Sequence, residues 1–232
     1  MDFLSVTASL LSGFKVTCLL FILTLAFSLP LGLIISFLTM SKFKPLRVVF
    51  KVIVWIVRGI PLMLQLFMIY YLPGILTNAT LSFWGGIDSS FYFKYGIDNV
   101  GCFIATLIAF VINYACYFSE IFRGGIESIN VGQYEAGKVL GMKKSQIFGK
   151  VVLLQVIKRI LPPISNEIIT LVKDTALSRV IGVIEIIKVA DLMSAKGLIW
   201  PLFYTGAFYL AFVGVLTILF GKLEKKLDYF KA

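Results

Sequence analysis

The sequence predicts an all-α integral membrane protein with about five membrane-spanning helices, on three observations. First, 59% of its 232 residues are hydrophobic and 15% are charged, whereas soluble domains are roughly 45–50% apolar and about 25% charged. Second, long apolar runs recur, and a spanning helix needs about 20 such residues. Third, the bases collect in short segments between those runs. Since no room remains for a separate soluble domain, we predict a single transmembrane domain over residues 1–232.

Five apolar runs predict the spans, and two other segments predict helices at the membrane surface. The spans cover about residues 14–40, 61–75, 100–122, 151–179 and 198–220. Residues 44–57 are too short to cross alone, so we expect an interfacial helix on the cytoplasmic side, and residues 181–195 form a second interfacial segment. We place Arg58 near the membrane edge, because an arginine near the bilayer centre costs roughly 2.5 kcal/mol or more. Pro61 suits the first turn of the second span.

The distribution of Lys and Arg predicts the orientation. The segments predicted inside are 41–51, 123–150 and 222–232, with thirteen bases, and those predicted outside are 1–15, 77–98 and 179–197, with five. Bases concentrate on the cytoplasmic side of membrane proteins. We therefore expect the N-terminus and the 77–98 loop outside and the C-terminus inside. The same rule explains the formal charge of +10 without nucleic acid as a partner.

The residue inventory excludes several chemistries. The chain has no histidine, which excludes any His-dependent catalytic arrangement. Its cysteines, Cys18, Cys102 and Cys116, lie in apolar runs without C-x-x-C spacing and support neither a disulfide framework nor a zinc site. A G-x-x-x-x-G-K-[ST] phosphate-binding loop is also missing from the sequence. We therefore expect no metal site and no cofactor in this chain, and no ATPase activity of its own.

A polar, glycine-punctuated segment at about residues 132–150 interrupts the apolar pattern. It contains Glu135, Ala136, Gly137 and Gly141, with lysines after them. Such a segment cannot lie in hydrocarbon, so we expect it on the cytoplasmic side, in contact with a soluble partner. A glycine at position 141 suits a helix stop.

This segment also carries a family resemblance. It resembles the E-A-A loop of ABC transporter permeases, a pattern that continues with three residues, G, nine residues, I, one residue and L-P. Glu135, Ala136, Gly141 and Leu153 match at that spacing, whereas Gly137, Val151 and Leu154 replace the second Ala, the Ile and the Pro.

Four further strings match the polar amino-acid uptake family of these permeases, the histidine/glutamine/arginine/opine type. They are residues 58–62 (R-G-I-P-L for the family's R-G-T-P-L), residues 120–126, residues 161–163 with Asn166-Glu167, and residues 173–177 (K-D-T-A-L for K-D-T-S-L). The resemblance covers about residues 11–228, and on it the chain is identified as a member of that family.

The resemblance implies the ABC type I importer permease fold, with a cytoplasmic coupling helix and short interfacial helices beside the spans. It implies a permease subunit that moves polar amino acids across a bacterial cell membrane. The implied partners are an ATP-binding subunit that holds ATP and Mg, a second permease subunit (identical or homologous), an extracellular or periplasmic solute-binding protein, the amino-acid substrate and membrane lipid.

The resemblance also assigns the coupling residues. Glu135, Ala136, Gly137 and Gly141 are expected to form the helix that docks in a cleft of the ATPase, where small residues permit close approach. Because glycine lowers helix stability relative to alanine, Gly137 predicts a looser coupling helix than in relatives.

The fourth span carries the main candidates for substrate binding. Glu167, Thr170 and Asp174 recur at i, i+3 and i+7 and share one face, at a depth where charges are costly and usually functional. Pro162 and Pro163 remove two amide donors before them, and interrupted helices beside charges are typical of transporter substrate sites. The ammonium group of an amino acid needs carboxylate or carbonyl partners, and both acidic positions match binding residues that the resemblance implies.

Four of the polar residues each have two interpretations. Asp174 can bind substrate or pair with Lys173, and Glu167 can also be structural. Asn113, in the third span, can bond the substrate or form an interhelical hydrogen bond. Gln65 either faces the pathway or packs helices together.

Glu120 and Arg123 stand at i, i+3, and we interpret them as a local structural pair.

Two other function classes are less favoured. A membrane enzyme using Glu167 and Asp174 would lack a nucleophile with its base, and a passive channel needs no docking segment. Glu167 and Asp174 favour a cationic or dipolar amino acid as the substrate.

Overall fold

The computed structural model describes residues 2–76, Trp84 and residues 100–227, and the regular structure in these residues is helical. In chain order the elements are α1 Phe3–Thr39, α2 Lys44–Gly59, α3 Leu62–Leu76, α4 Val100–Glu127, α5 Val131–Val139, α6 Lys144–Ile147, a π-helical segment Phe148–Val152, α7 Leu153–Asp174, a 3-10 helix Thr175–Ile181, α8 Ile186–Ser194 and α9 Trp200–Leu227.

Helix α4 lies at the centre of the bundle. Helices α1, α2, α3 and α7 all pack against it, and 67% of its apolar stretch is buried, compared with 6% for α9. Its aromatic side chains Phe103, Phe110, Tyr114 and Phe118 are at most 2% exposed and fill the main core. Because close side-chain packing stabilises helix bundles in membranes, α4 is the helix against which this core is built.

Helix α1 begins at Phe3 rather than near residue 14, which corrects the predicted boundary of the first span. Its 37 residues extend for about 55 Å, well beyond the ~30 Å of bilayer hydrocarbon. Val6 and Leu10 are fully buried and pack against Ile186 and Ala190 of α8. These contacts extend the helix into residues 1–15, the segment that was predicted to lie outside, and they join residues that are distant in the sequence.

The chain turns by 105° between α2 and α3. Two separate helices at these positions are confirmed, with Ile60 and Pro61 at the bend. Pro61 has no amide hydrogen with which to continue α2. Val54 is the one residue of α2 that is buried, so this helix lies against the bundle along a narrow strip.

The interruption expected in the fourth span at Pro162 and Pro163 is wrong, because α7 continues through both prolines. The changes in winding lie at its two ends instead. The π-helical segment, five residues long, precedes it, and the 3-10 helix begins at Thr175, directly after Asp174. The α6–α7 stretch is therefore one helical rod from the polar segment to the substrate-binding candidates.

Three of the described helices, α1, α4 and α9, are long and apolar enough to cross a membrane, and the bent pair α2–α3 raises this to four if it counts as one crossing. Helix α7 has 22 residues, but its charged side chains, Glu167 and Asp174 among them, reduce its hydropathy. The number of about five spans stays a prediction.

Helices α4 and α9 extend beyond the predicted ends of the third and fifth spans, at residues 122 and 220. The charged residues there continue the helices, because helix ends tolerate charge once they leave the hydrocarbon. The predicted external loop at 77–98 lies outside the described residues except for Trp84, and so does the end of the predicted internal tail, from residue 228.

Candidate functional site

Three parts of the chain line one cavity of about 440 Å³ beside α4. The lining residues are Arg58–Leu62 from the α2–α3 bend, Asn113, Tyr114 and Tyr117 from α4, and Glu167, Thr170 and Asp174 from α7. Its volume lies within the ~300–1,000 Å³ of small-molecule sites. The four residues proposed from the sequence as substrate ligands therefore share one cavity, and their binding role stays a prediction.

Asp174 is held by a tyrosine rather than by a lysine. The hydroxyl of Tyr114, 2% exposed, donates to Asp174 Oδ2 at 2.7 Å. Within the described residues Lys173 has no carboxylate within 4 Å, so the alternative Lys173–Asp174 ion pair is wrong. Consecutive residues on a helix do not face each other, and a negative charge in the last turn opposes the helix dipole. The hydrogen bond from Tyr114 therefore stabilises a carboxylate in an unfavourable place.

Glu167 lies two helical turns before Asp174 and is half-buried. In the part of the chain that the structure describes, its carboxylate accepts no hydrogen bond and forms no ion pair. Thr170, on the same face, donates its hydroxyl to the Asn166 carbonyl at 3.0 Å, so only its acceptor capacity remains for a ligand. Since a partly buried charge without a partner is costly, Glu167 is the group on this wall most in need of a cation.

Asn113 and Gln65 form the interhelical hydrogen bond that one interpretation of the sequence anticipated. Asn113 Nδ2 donates to Gln65 Oε1 at 3.2 Å. Gln65 Nε2 in turn donates to the carbonyls of Val57, at 2.6 Å, and Ile60, at 2.8 Å. The Gln65 amide thus satisfies carbonyls left open where α2 ends. It fixes the α2–α3 bend and has a packing role, while Asn113 both supports it and lines the cavity.

Arg58 is the one cation among the residues that line the cavity. Its guanidinium lies 4.9 Å from the centre of the Tyr117 ring, a distance typical of cation–π contact. Its nearest carboxylate oxygen, Glu120 Oε2, is 3.8 Å away, and its side chain is 40% exposed. The ring orients the guanidinium, while the long ion pair leaves donors available to a ligand.

The predicted Glu120–Arg123 pair is present. Arg123 donates to both oxygens of Glu120, at 3.2 and 2.5 Å, and to Glu127 at 2.7 Å. This fork-like geometry is among the stronger kinds of ion pair. It engages Glu120 with Arg123 in preference to Arg58 and keeps the charged end of α4 helical.

The polar segment folds as the short helix α5, and both of its ends are capped. Asn130 Oδ1 accepts from the Gly132 amide at 2.9 Å at the start, as N-cap asparagines do. At the end, the Met142 amide bonds to the Gly137 carbonyl at 3.0 Å, and Gly141 has φ +70°. These features define a Schellman ending, so the predicted helix stop at Gly141 is confirmed.

The two faces of α5 differ. Gly137 is buried against Ile147, and a Cβ at position 137 would lie 2.7 Å from Ile147 Cγ1. The close approach that we expected Gly137 to permit is therefore to α6 of the same chain. Glu135 and Ala136 are exposed, and so is Leu140, by 78%.

Arg159 connects α7 to the start of the polar segment. Its Nη1 donates to the carbonyl of Ser128, just beyond the end of α4. A cation at the carboxyl end of a helix is favourable. The cavity residues Glu167 and Asp174 lie about two and about four helical turns further along α7, so this contact ties the base of α5 to the helix that carries them.

Several of these residues were not assigned to the cavity from the sequence. Arg58 was placed at the membrane edge, and Tyr114 and Tyr117 carried no assignment. The i, i+3 spacing of the two tyrosines with Asn113 on α4 is the signal that could have found them, because Asn113, Tyr114 and Tyr117 share a helix face.

The chain matches the family described as "Binding-protein-dependent transport system inner membrane component" over residues 28–229. Among curated relatives, the L-cystine transport system permease protein TcyB of Bacillus subtilis is 36% identical, covering 95% of this chain and 87% of the relative. The octopine transport system permease protein OccM of Rhizobium radiobacter is 32% identical, covering 93% and 84%. The arginine transport system permease protein ArtQ of B. subtilis is 31% identical, covering 94% and 92%.

Solved structures agree with the sequence matches. A chain of an amino acid ABC transporter crystallised with histidines is 30% identical with a TM-score of 0.77, covering 97% of this chain and 99% of that one. The MetNI methionine ABC transporter, at 15% identity and a TM-score of 0.64, shows the fold alone. The predicted all-α permease fold is confirmed, and the chain belongs to the binding-protein-dependent transport system inner membrane component family.

Proposed function

We propose that this chain is the translocation subunit of an ATP-driven importer for an amino acid, crossing a bacterial cell membrane several times. The observation that carries the proposal is the cavity, which combines one guanidinium with two carboxylates in about 440 Å³. The descriptions of the relatives, which name cystine, octopine and arginine transport, support the same substrate class.

A free amino acid carries an ammonium and a carboxylate, and the cavity offers a partner for each. Arg58 binds the carboxylate, since its guanidinium fork suits that group and is held only loosely by Glu120. Glu167 accepts from the ammonium, which supplies the cation that its carboxylate lacks within the described protein. Asp174 presents Oδ1 to the same end of the ligand, while Oδ2 accepts from Tyr114.

The other two predicted ligands have narrower roles. Thr170 offers only an acceptor, because its proton is bonded within α7. Asn113 keeps the bend in place through Gln65 and contacts the ligand with the rest of its amide. We assign recognition of the ligand's charges to Arg58, Glu167 and Asp174. We assign recognition of the ligand's shape to Thr170 and Asn113.

The exposed face of α5 is the coupling surface for a separate ATPase subunit, which holds ATP and Mg²⁺. Glu135 presents a charge, and the small side chain of Ala136 lets a partner approach the helix closely. Leu140 adds exposed apolar area of the kind that marks interaction sites. Gly137 and Gly141 shape this helix from within, the first by its packing on Ile147. The α6–α7 rod and the Arg159 contact transmit movement of α5 to the cavity.

A transport cycle needs partners on both sides of the membrane. A bundle of this size is too small to enclose a pathway, so a second permease copy or a related chain completes it, and a solute-binding protein delivers substrate outside. Coupling is thermodynamic, because nucleotide and substrate must each contact the inward-facing and outward-facing states differently.

Co-reconstitution with a cognate ATPase and binding protein tests the proposal. We expect uptake of at least one radiolabelled amino acid that requires ATP. Flux of equal size without ATP would support the channel alternative and contradict the proposal.

A charge reversal tests the coupling surface separately. Glu135→Lys is expected to abolish substrate-stimulated ATP hydrolysis while the complex still binds substrate. Glu224→Lys, near the end of α9, makes the same change in charge away from α5 and serves as the matched control. Normal stimulation in Glu135→Lys would remove the docking role from that face.

A further inference from the structure

A cluster of unpaired bases lies at the start of α2. This basic cluster consists of Lys42, Lys44, Arg47 and Lys51, and within the described residues none of its members has a carboxylate within 4 Å. The sequence itself offers few partners, because it contains no acidic residue between Asp2 and Asp88. The charge of Lys51 also acts on Glu120 of α4, which leaves the other three bases to the surroundings.

The apolar face of the same helix is not covered by protein. Val49, Val52, Ile53 and Ile56 are 43–53% exposed. Trp55, one turn after Lys51, lies on the same face as that base and is 76% exposed. Lys44, Arg47 and Lys51 recur at i, i+3 and i+7 and therefore share the opposite face. Helix α2 is thus amphipathic, with neither face matched by the rest of the chain.

The bend gives α2 its direction. Helix α3 is apolar along its length except for Gln65, and α2 meets it at 105°. If α3 enters a membrane, α2 runs close to the plane of that membrane, on the side where the base distribution predicts cytoplasm. A basic amphipathic helix in this position places its apolar face toward acyl chains and its bases among headgroups.

We propose that α2 is a binding site for anionic phospholipid, with phosphate groups at the basic cluster and acyl chains along the exposed apolar face. Groups of four or more bases on an amphipathic helix favour anionic lipid. A second copy of the chain is a poorer occupant. A copy seated on the apolar face would leave the bases on the opposite face without anionic partners, because α2 itself has no acidic residue.

Trp55 provides a local test in the full-length chain reconstituted in vesicles. Quenching is measured at equal mole fractions of brominated phosphatidylglycerol or brominated phosphatidylcholine in a phosphatidylcholine background. The Trp55 signal is the difference between the parent and Trp55→Phe, so that Trp84, which donates to the Tyr70 carbonyl, is left intact. Trp200, at the far end of the bundle, is measured in the same way as a reference.

Each base near an anionic surface is worth about fivefold in lipid association. At low salt we therefore expect phosphatidylglycerol to be preferred at Trp55 by at least about tenfold, and the preference to fall in 1 M salt, where charges are screened. The triple variant Lys44→Gln/Arg47→Gln/Lys51→Gln should bring it close to one. The control, Lys222→Gln/Lys225→Gln/Lys226→Gln, removes as much charge from the end of α9 and should keep it.

Three results would overturn the proposal. The first is equal quenching of Trp55 by both lipids, which means that α2 selects no headgroup. The second is an equal loss of preference in the two triple variants, which means that only the total charge matters. The third is no quenching by either lipid, which means that protein, such as a second copy, covers Trp55 and the bases beside it. Unchanged Trp200 quenching and thermal midpoint show that a variant is folded.

Discussion

Replacement of Glu167 by glutamine separates ligand binding from folding. The carboxylate lines the cavity and has no hydrogen-bond or ion-pair partner within the described residues, so Glu167→Gln removes a charge without breaking a contact of the chain. Surface-like substitutions of this kind usually change stability by at most about 0.5 kcal/mol. The thermal midpoint of the assembled transporter is therefore expected to stay within a few degrees of the parent value.

Binding should respond much more strongly than stability. A hydrogen bond to a charged group contributes about 1.5–3 kcal/mol, which corresponds to roughly 10- to 150-fold in affinity. Glu167 is only half-buried, and solvent weakens exposed ion pairs, so we expect a loss near the lower limit, about tenfold. Asp174→Asn should differ, because it also weakens the bond from Tyr114 and therefore reduces stability and binding together.

The assay is equilibrium binding to the purified complex. A panel of radiolabelled amino acids identifies the ligand of the parent, and the dissociation constants of Glu167→Gln and Asn166→Ala are then compared for that ligand. Asn166 is the exposed neighbour outside the cavity and should leave the constant unchanged. A Glu167→Gln constant within threefold of the parent, in folded protein, would refute ammonium recognition by this carboxylate.

Three further substitutions test other contacts. Arg159→Gln removes the donor to Ser128; we expect substrate-stimulated ATP hydrolysis to fall while substrate affinity stays constant, and unchanged stimulation would contradict a transmitting role. Gly137→Ala puts a Cβ 2.7 Å from Ile147 Cγ1; overpacking costs about 1–3 kcal/mol against a helix gain of about 1 kcal/mol, so α5 amides should exchange faster, and unchanged exchange would contradict this close contact. Burial raises the pKa of Glu185 from 4.5 to about 7. Its carboxyl therefore contributes up to about 3 kcal/mol of stability below pH 4.5, and this contribution is lost as the pH rises through 7. Glu185→Gln should therefore flatten the dependence of the thermal midpoint on pH over this range. An identical slope in the parent and the variant would contradict this role of Glu185.

The helix bearing Glu167, Thr170 and Asp174 shows how far spacing alone can reach. An i, i+3, i+7 pattern places three side chains on one face whatever surrounds the helix, so the sequence predicted their shared wall. It could not predict that Arg58 lines the same cavity as these residues. That placement depends on the 105° bend and on hydrogen bonds from Gln65 to carbonyls five and eight residues away.

In the coupling segment, too, one feature was predictable from the sequence and another was not. Capping is local, so Gly141 was readable as a helix stop, and its positive φ agrees. The inward orientation of Gly137 was not readable, because it is set by contact with Ile147 on the next helix. The early start of α1 likewise depends on packing between Val6 and α8, which is distant in sequence.

By itself, the sequence determined that this chain is an all-helical membrane protein of a permease family, because hydropathy, base distribution and residue spacing act over a turn or a span. The tertiary structure decided which polar groups meet: Tyr114 rather than Lys173 bonds to Asp174, and Arg58 lines the same cavity as Glu167. The physical reason is range. Helix periodicity is encoded within a few residues, whereas a charge finds its partner only after helices far apart in the chain have packed.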